Sequence, residues 1–132
     1  MEVIEVPIAG NSDVVAVRRH VRAHAQETGL SLVDLTKVVT AASELARNTL
    51  VYGGGGRLRI EAVSNGHRRG LRLAFIDEGP GIGDVEQALT DGWSTGGGLG
   101  LGLSGSRRLV DEFDLESAPG VGTRVTVVKW AR

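Results

Sequence analysis

Arg57-Leu58-Arg59-Ile60-Glu61-Ala62-Val63-Ser64 and Gly70-Leu71-Arg72-Leu73-Ala74-Phe75-Ile76-Asp77 flank the short connection Asn65-Gly66-His67-Arg68-Arg69. Polar and apolar side chains alternate along the first run, as they do in a strand with one wet and one buried face. An Asn-Gly step between two such runs favours a tight reversal. The pair therefore predicts antiparallel strands near 57–64 and 70–77.

Working outward, Met1 to Ile8 alternates and is rich in β-branched residues, which predicts a further strand. Pro7 puts that strand at an edge or near its own end, because proline has no N–H for a ladder. Asn11, Ser12 and Asp13 are N-cap candidates for a helix over about 13–28, with Val14, Val17, Val21 and Ala25 at helical spacing and Gly29 as its stop. Ser31 and Asp34 resemble a capping box for a second helix over about 32–52. On that helix Leu35, Val38, Val39, Ala42, Leu45, Ala46 and Thr49 form the core-facing stripe. Beyond the hairpin the sequence predicts a short helix near 84–90, a flexible loop over 91–102 and a helix near 103–112. Strands near 113–118 and 122–129 follow, joined by a turn at Pro119-Gly120-Val121-Gly122. Hairpins separated by helices indicate an α+β layered sandwich and not a doubly wound parallel sheet.

The 132 residues suit one domain spanning 1–132, and the 41% apolar content supports a single core. A net charge of −1 supplies no general attraction to nucleic acid or to an acidic membrane. The absence of cysteine removes disulfide scaffolds and thiolate metal sites and fits a reducing compartment. No apolar run reaches the ~20 residues of a membrane helix, and the N-terminal residues lack a signal-peptide layout, so a cytoplasmic location is expected. The 20 glycines gather at 53–56, 79–83 and 96–105, where loops take positive φ or let a ligand approach the backbone.

Three constellations bear on chemistry. Glu44 and Asn48 are one helical turn apart, on a line away from the apolar stripe. Two readings stand: a solvated helix face, or an amide that ligates Mg²⁺ with a general base one turn away. Asp77 leaves an apolar strand into Gly79-Pro80-Gly81. It is either a turn initiator or a carboxylate that accepts a hydrogen bond from an adenine amino group. The glycine run Gly96 to Gly102 opens a helix, whose free N–H groups and dipole make an anion site unless the run is only a floppy loop. Within it Gly100-Leu101-Gly102-Leu103-Ser104-Gly105 matches a dinucleotide fingerprint by spacing, but no strand precedes it. No Gly-Lys pair exists for a Walker A loop. His20 and His24 lack the intervening glutamate of a zinc motif and read as helix-face residues, as do Arg18, Arg19 and Arg22. Trp93 in the glycine loop reads as a lid or partner contact.

Taken in order, Glu44-x-x-x-Asn48, Asp77-x-Gly79-x-Gly81, Gly98-x-Gly100-x-Gly102 and Gly122-Thr123 resemble the GHKL superfamily of histidine-kinase-like ATPases. The segment from Ser94 to Phe113 and the ending Gly122 to Trp130 are similar to the anti-sigma-factor serine/threonine kinases, closest to the stressosome switch-kinase (RsbT-type) branch. The resemblance implies the Bergerat fold, a two-layer α/β sandwich with a mixed β-sheet and helices on one face. It implies ATP and Mg²⁺ as cofactors. Asn48 would hold the metal and Glu44 would be the catalytic base. Asp77 would read adenine, Gly79 and Gly81 would shape the base pocket, and Thr123 would help hold adenine. Gly98, Leu99, Gly100, Leu101 and Gly102 would cover the phosphates. It further implies a kinase that phosphorylates a serine or threonine of a STAS-domain antagonist and, when released, activates a PP2C-type phosphatase. The alternative is an anti-sigma factor that sequesters a sigma factor and phosphorylates an anti-anti-sigma STAS protein; a third reading is a nucleotide binder without catalysis. The basic residue that would neutralise the transferring phosphate stays unassigned between Lys37, Lys129 and the many arginines.

Overall fold

The computed structural model describes residues 3–82 and 103–132. The expected helix near 84–90, the loop 91–102 with Trp93, and Gly98 to Gly102 lie outside the described residues. The elements in chain order are β1 (Val3–Ile8), α1 (Asn11–Thr28), α2 (Leu32–Val51), β2 (Gly56–Ser64), β3 (Arg69–Asp77), α3 (Leu103–Leu109), β4 (Glu112–Ala118) and β5 (Gly122–Trp130). One five-stranded sheet has the order β1-β2-β3-β5-β4.

Helix α1 starts two residues earlier than the spacing predicts. Asp13 reaches back so that its carboxylate accepts the N–H groups of Ala9 (2.7 Å) and Gly10 (3.0 Å). Gly29 ends the helix at φ 90°, and its N–H and that of Leu30 donate to the orphan carbonyl of Ala25, a left-handed cap open to glycine without strain. Ser31 then caps α2 by accepting the Asp34 N–H at 3.1 Å. The Asp34 carboxylate does not complete the expected capping box; it engages Lys129 and Arg132 instead.

Every pairing among the described residues is antiparallel, which corrects the expected mixed sheet. The reason is the connection between β1 and β2. One crossover helix would deliver a parallel neighbour, but α1 and α2 return the chain to the end it left. The predicted hairpin is present in register from Gly56↔Asp77 to Ser64↔Arg69. In its loop the Asn65 side chain accepts the N–H groups of His67 (2.9 Å) and Arg68 (2.8 Å), and Gly66 takes φ 91°. Pro7 sits on edge strand β1, as proline requires.

Both long helices cover one face of the sheet. Val17, Val21, Val38 and Leu45 meet Ile8, Leu58, Leu73 and Val127 in one core. The opposite face carries Glu5, Arg59, Glu61 and Arg72, partly paired across strands. Helix α3 is three residues shorter than expected, because the Asp111 N–H already donates to Val128 O (2.9 Å) and draws the chain into the sheet. No helix of the described residues is long and apolar enough to cross a membrane.

Candidate functional site

Strand β3 delivers Asp77 to one end of the sheet, opposite Thr123 at the start of β5. Above them lies the last turn of α2. A cleft opens between these elements. Its polar lining comes from Asn48, Tyr52, Asp77 and Thr123, and its apolar walls include Leu45, Phe75, Ile82, Leu103 and Val125. The sequence-predicted Asn48, Asp77, Gly81 and Thr123 thus converge, although 29 positions separate the first pair and 46 the second and last.

Asp77 is partly buried, and its Oδ1 accepts the Gly79 N–H at 2.9 Å. Burial raises its carboxyl above the ordinary 3.8, opposed by hydrogen bonds from the backbone N–H groups of Gly79 and Thr123. No ion pair reaches it among the described residues. Its charge is therefore held by backbone dipoles alone, with acceptor capacity left facing the cleft.

The glycines around Asp77 are there for lack of room. A Cβ at Gly79 would lie 2.7 Å from Gly53 Cα, so two loops touch backbone to backbone. Gly81 takes φ 78°, and a Cβ there would lie 2.2 Å from Ala118 O. Ser117 secures the loop from the other side. Its hydroxyl donates to Gly122 O (3.1 Å) and accepts the Ile82 N–H (2.7 Å). With that proton committed, the contact of 2.9 Å between the Ser117 and Thr123 hydroxyls must have Thr123 as donor. The Thr123 oxygen keeps its lone pairs for a donor in the cleft.

On α2, Glu44 and Asn48 are half-buried, whereas neighbouring Arg47 is exposed. Asn48 lines the cleft; Glu44 stands one turn before it on the same side. Gly98 to Gly102 lie outside the described residues, so their placement is not part of this geometry. Tyr52 was not foreseen. It is four residues beyond Asn48, lines the cleft, and has a buried hydroxyl with no hydrogen-bond partner among the described residues. Extending the Glu44–Asn48 line by one turn would have found it. Ser117 carries no such signal, because its role exists only once β4 and β5 pair.

The histidines and arginines of α1 follow their plain reading. His20, Arg18, Arg19 and Arg22 are exposed, and His24 has Glu27 as its neighbour at 3.9 Å. Among the described residues no group of three His, Cys, Asp or Glu could hold a metal ion. Of the two lysines, Lys37 is exposed and Lys129 is buried between acids at the other end of the sheet.

The family profile described as histidine kinase-, DNA gyrase B- and HSP90-like ATPase matches residues 33–131. A serine/threonine-protein kinase RsbT of Bacillus subtilis (strain 168) is 47% identical over 120 residues, covering 91% of this chain and 90% of the relative. An anti-sigma F factor of Thermoanaerobacter sp. (strain X514) is 30% identical over 119 residues, covering 86% and 82%. The crystal structure of the RsbU and RsbW domains of Rv1364c from Mycobacterium tuberculosis superposes with a TM-score of 0.67 at 18% identity, and supports the fold alone. It covers the whole of this chain, which spans 33% of that one. With most of its length matched by the profile and by relatives of its own size, the chain belongs to the family of histidine kinase-, DNA gyrase B- and HSP90-like ATPases.

Proposed function

We propose that the cleft binds ATP with Mg²⁺ and that the chain, as a single cytoplasmic ATPase domain, phosphorylates a serine or threonine of a STAS-domain antagonist. Released from that antagonist, it activates a PP2C-type phosphatase. Serine/threonine phosphorylation coupled to partner switching is the activity its relatives support, at 47% identity to a named serine/threonine-protein kinase and 30% to an anti-sigma factor.

One observation carries the nucleotide assignment. A partly buried carboxylate, Asp77, faces a cleft with apolar walls and, among the described residues, has only backbone N–H partners. Such a group suits the amino group of adenine, while Leu45, Phe75 and Ile82 suit the faces of the ring. The unpartnered Tyr52 hydroxyl and the lone pairs of Thr123 give the ligand further polar anchors. Asn48 offers Mg²⁺ one amide oxygen, in keeping with a metal that takes few protein ligands and relies on phosphates and water. Bound there, the metal would withdraw charge from the phosphate oxygens.

In the transfer, the substrate hydroxyl oxygen bonds to the γ-phosphorus, the bond to the ADP oxygen breaks, and Glu44 takes the hydroxyl proton. Gly98 to Gly102 are assigned to the phosphates by their order after Asp77 in the sequence and by the free N–H groups of a glycine run.

Incubation with γ-labelled ATP and a STAS protein tests this reading. Label on a STAS serine or threonine is expected. Capture of a sigma factor and not of a phosphatase domain would replace it with the anti-sigma reading, and tight ATP binding with no transfer would leave a nucleotide binder without catalysis.

A further inference from the structure

Lys129 is nearly fully buried, its side chain 6% exposed. Its ammonium lies 3.4 Å from Asp34 and 3.6 Å from Asp111, whose side chains are 12% and 17% exposed. Arg132 completes the cluster, 3.8 Å from Asp34 and hydrogen-bonded to Asp111. Two cations and two anions thus balance in one place. Asp34 belongs to the first turn of α2, and Asp111 joins α3 to β4. Asp111 is itself tied to β5, accepting the Trp130 N–H at 2.7 Å and donating its own to Val128 O at 2.9 Å.

The same two helices reach the cleft. Helix α2 runs from Asp34 to Asn48, about 21 Å at the usual rise. Helix α3 begins at Leu103 in the cleft wall, and the chain enters the ion cluster just beyond its other end. Lys129 and Thr123 are six residues apart on β5, about 20 Å. Buried ion clusters contribute little net stability, since desolvation offsets their attraction, and apolar replacements of similar volume are often tolerated. What such a cluster does that apolar packing does not is accept one arrangement of its members.

We propose that Lys129 is a positioning residue: by holding Asp34 and Asp111 together it fixes the far ends of α2 and α3, and so sets the separation of Asn48 and Leu103 across the cleft. The inference rests on the reading of that cleft as the Mg-ATP site. Binding free energies are reciprocal, so nucleotide in the cleft must in turn tighten the cluster.

Two measurements test it. In the neutral variant Asp34→Asn/Asp111→Asn/Lys129→Met/Arg132→Gln, the dissociation constant for Mg-ATP should rise about fivefold, within the range of couplings carried through packed elements. Phosphotransfer at saturating ATP should change less. Lys129→Arg, whose guanidinium can still bridge two carboxylates, should return affinity to within about twofold of the unmutated value. A folded neutral variant with unchanged affinity overturns the proposal. The second measurement needs no variant. Amide exchange at Asp111 and Trp130 should slow when Mg-ATP is added to the unmutated protein. Slowing at the cleft without slowing at those amides also overturns it. Asn48→Ala separates the two levels. If that change leaves Mg-ATP affinity intact, the cleft assignment and the positioning role both fall. If it weakens affinity and the neutral cluster does not, only the positioning role falls.

Discussion

The two ends of the sheet handle buried charge in opposite ways. At one end Lys129, Asp34, Asp111 and Arg132 satisfy one another, and little is left for a ligand. At the other, among the described residues, Asp77 has backbone N–H partners and no cation, Thr123 keeps unused lone pairs, and the Tyr52 hydroxyl has no partner. A protein interior normally pairs its polar groups, because an unpaired one costs about 1–3 kcal/mol. An end with unspent hydrogen-bonding capacity is therefore where a ligand belongs, and an end that is self-satisfied is where elements are joined. Polar residues alone do not mark a site; incomplete pairing does.

The sharpest break in this comparison concerns chemistry without binding. Glu44→Gln keeps size and helix propensity and removes the proposed base. Phosphotransfer should fall by about 10²–10⁴, the usual worth of a general base, while Mg-ATP and antagonist binding persist. The complex should then endure in ATP, because release follows from placing a phosphate at the contact. Transfer at the unmutated rate would return Glu44 to the role of a half-buried helix residue.

At the far end, Lys129→Ala leaves two buried carboxylates with only Arg132 between them. Chemical denaturation should show a loss of about 3 kcal/mol, typical for a buried pair deprived of one partner. A loss below 1 kcal/mol would mean that Arg132 alone holds the cluster.

Asn48→Ala sharpens the cleft end. It should weaken Mg-ATP by about tenfold, the value of one polar contact to a charged group, and affect ATP without metal less. Calorimetric titrations with and without Mg²⁺ give both numbers; equal losses in the two would remove the metal from Asn48.

The smallest effect belongs to Asp77→Asn, and it carries a sign. Burial holds the Asp77 carboxyl above the ordinary 3.8, so the folded state binds its proton more tightly than the unfolded state does. The associated stability is present below the unfolded value and is lost as pH rises through the raised folded value. At neutral pH the amide should therefore match or exceed the carboxylate in stability, with the advantage shrinking as pH falls. The same change should reduce the preference for ATP over GTP, since an amide can donate as well as accept. Thermal melts between pH 3 and 7 that favour Asp77 throughout would contradict the burial argument.

Much of this was legible in the sequence, for identifiable reasons. Alternation and Asn65-Gly66 gave the hairpin because strand period and turn chemistry are local. Val14, Val17, Val21 and Ala25 gave α1 in the same way. The direction of β1 against β2 was not legible. It depends on two helices acting as one crossover, which no window of sequence records. Asn48, Asp77 and Gly81, which line one cleft with Thr123, stood out because each has a chemistry its neighbours lack, and the family resemblance supplied Thr123 and the order of all four. Ser117 and the Lys129 cluster escaped. A serine in an alternating strand and a lysine near a C-terminus are ordinary until pairing of β4, β5 and α2 surrounds them.

Strand β5 follows every other described element along the chain yet lies inside the sheet, between β3 and β4. During synthesis, β3 and β4 must wait for their shared neighbour with open edges. Leu71, Leu73 and Phe75, all buried in the finished protein, are then only partly covered. A polypeptide stalled before Gly122 would present two unpaired β-edges and that apolar row, the features that recruit chaperones or seed aggregates. The one strand that supplies both Thr123 and Lys129 also makes translation of its nine residues the step at which the nascent chain passes from hazard to enzyme.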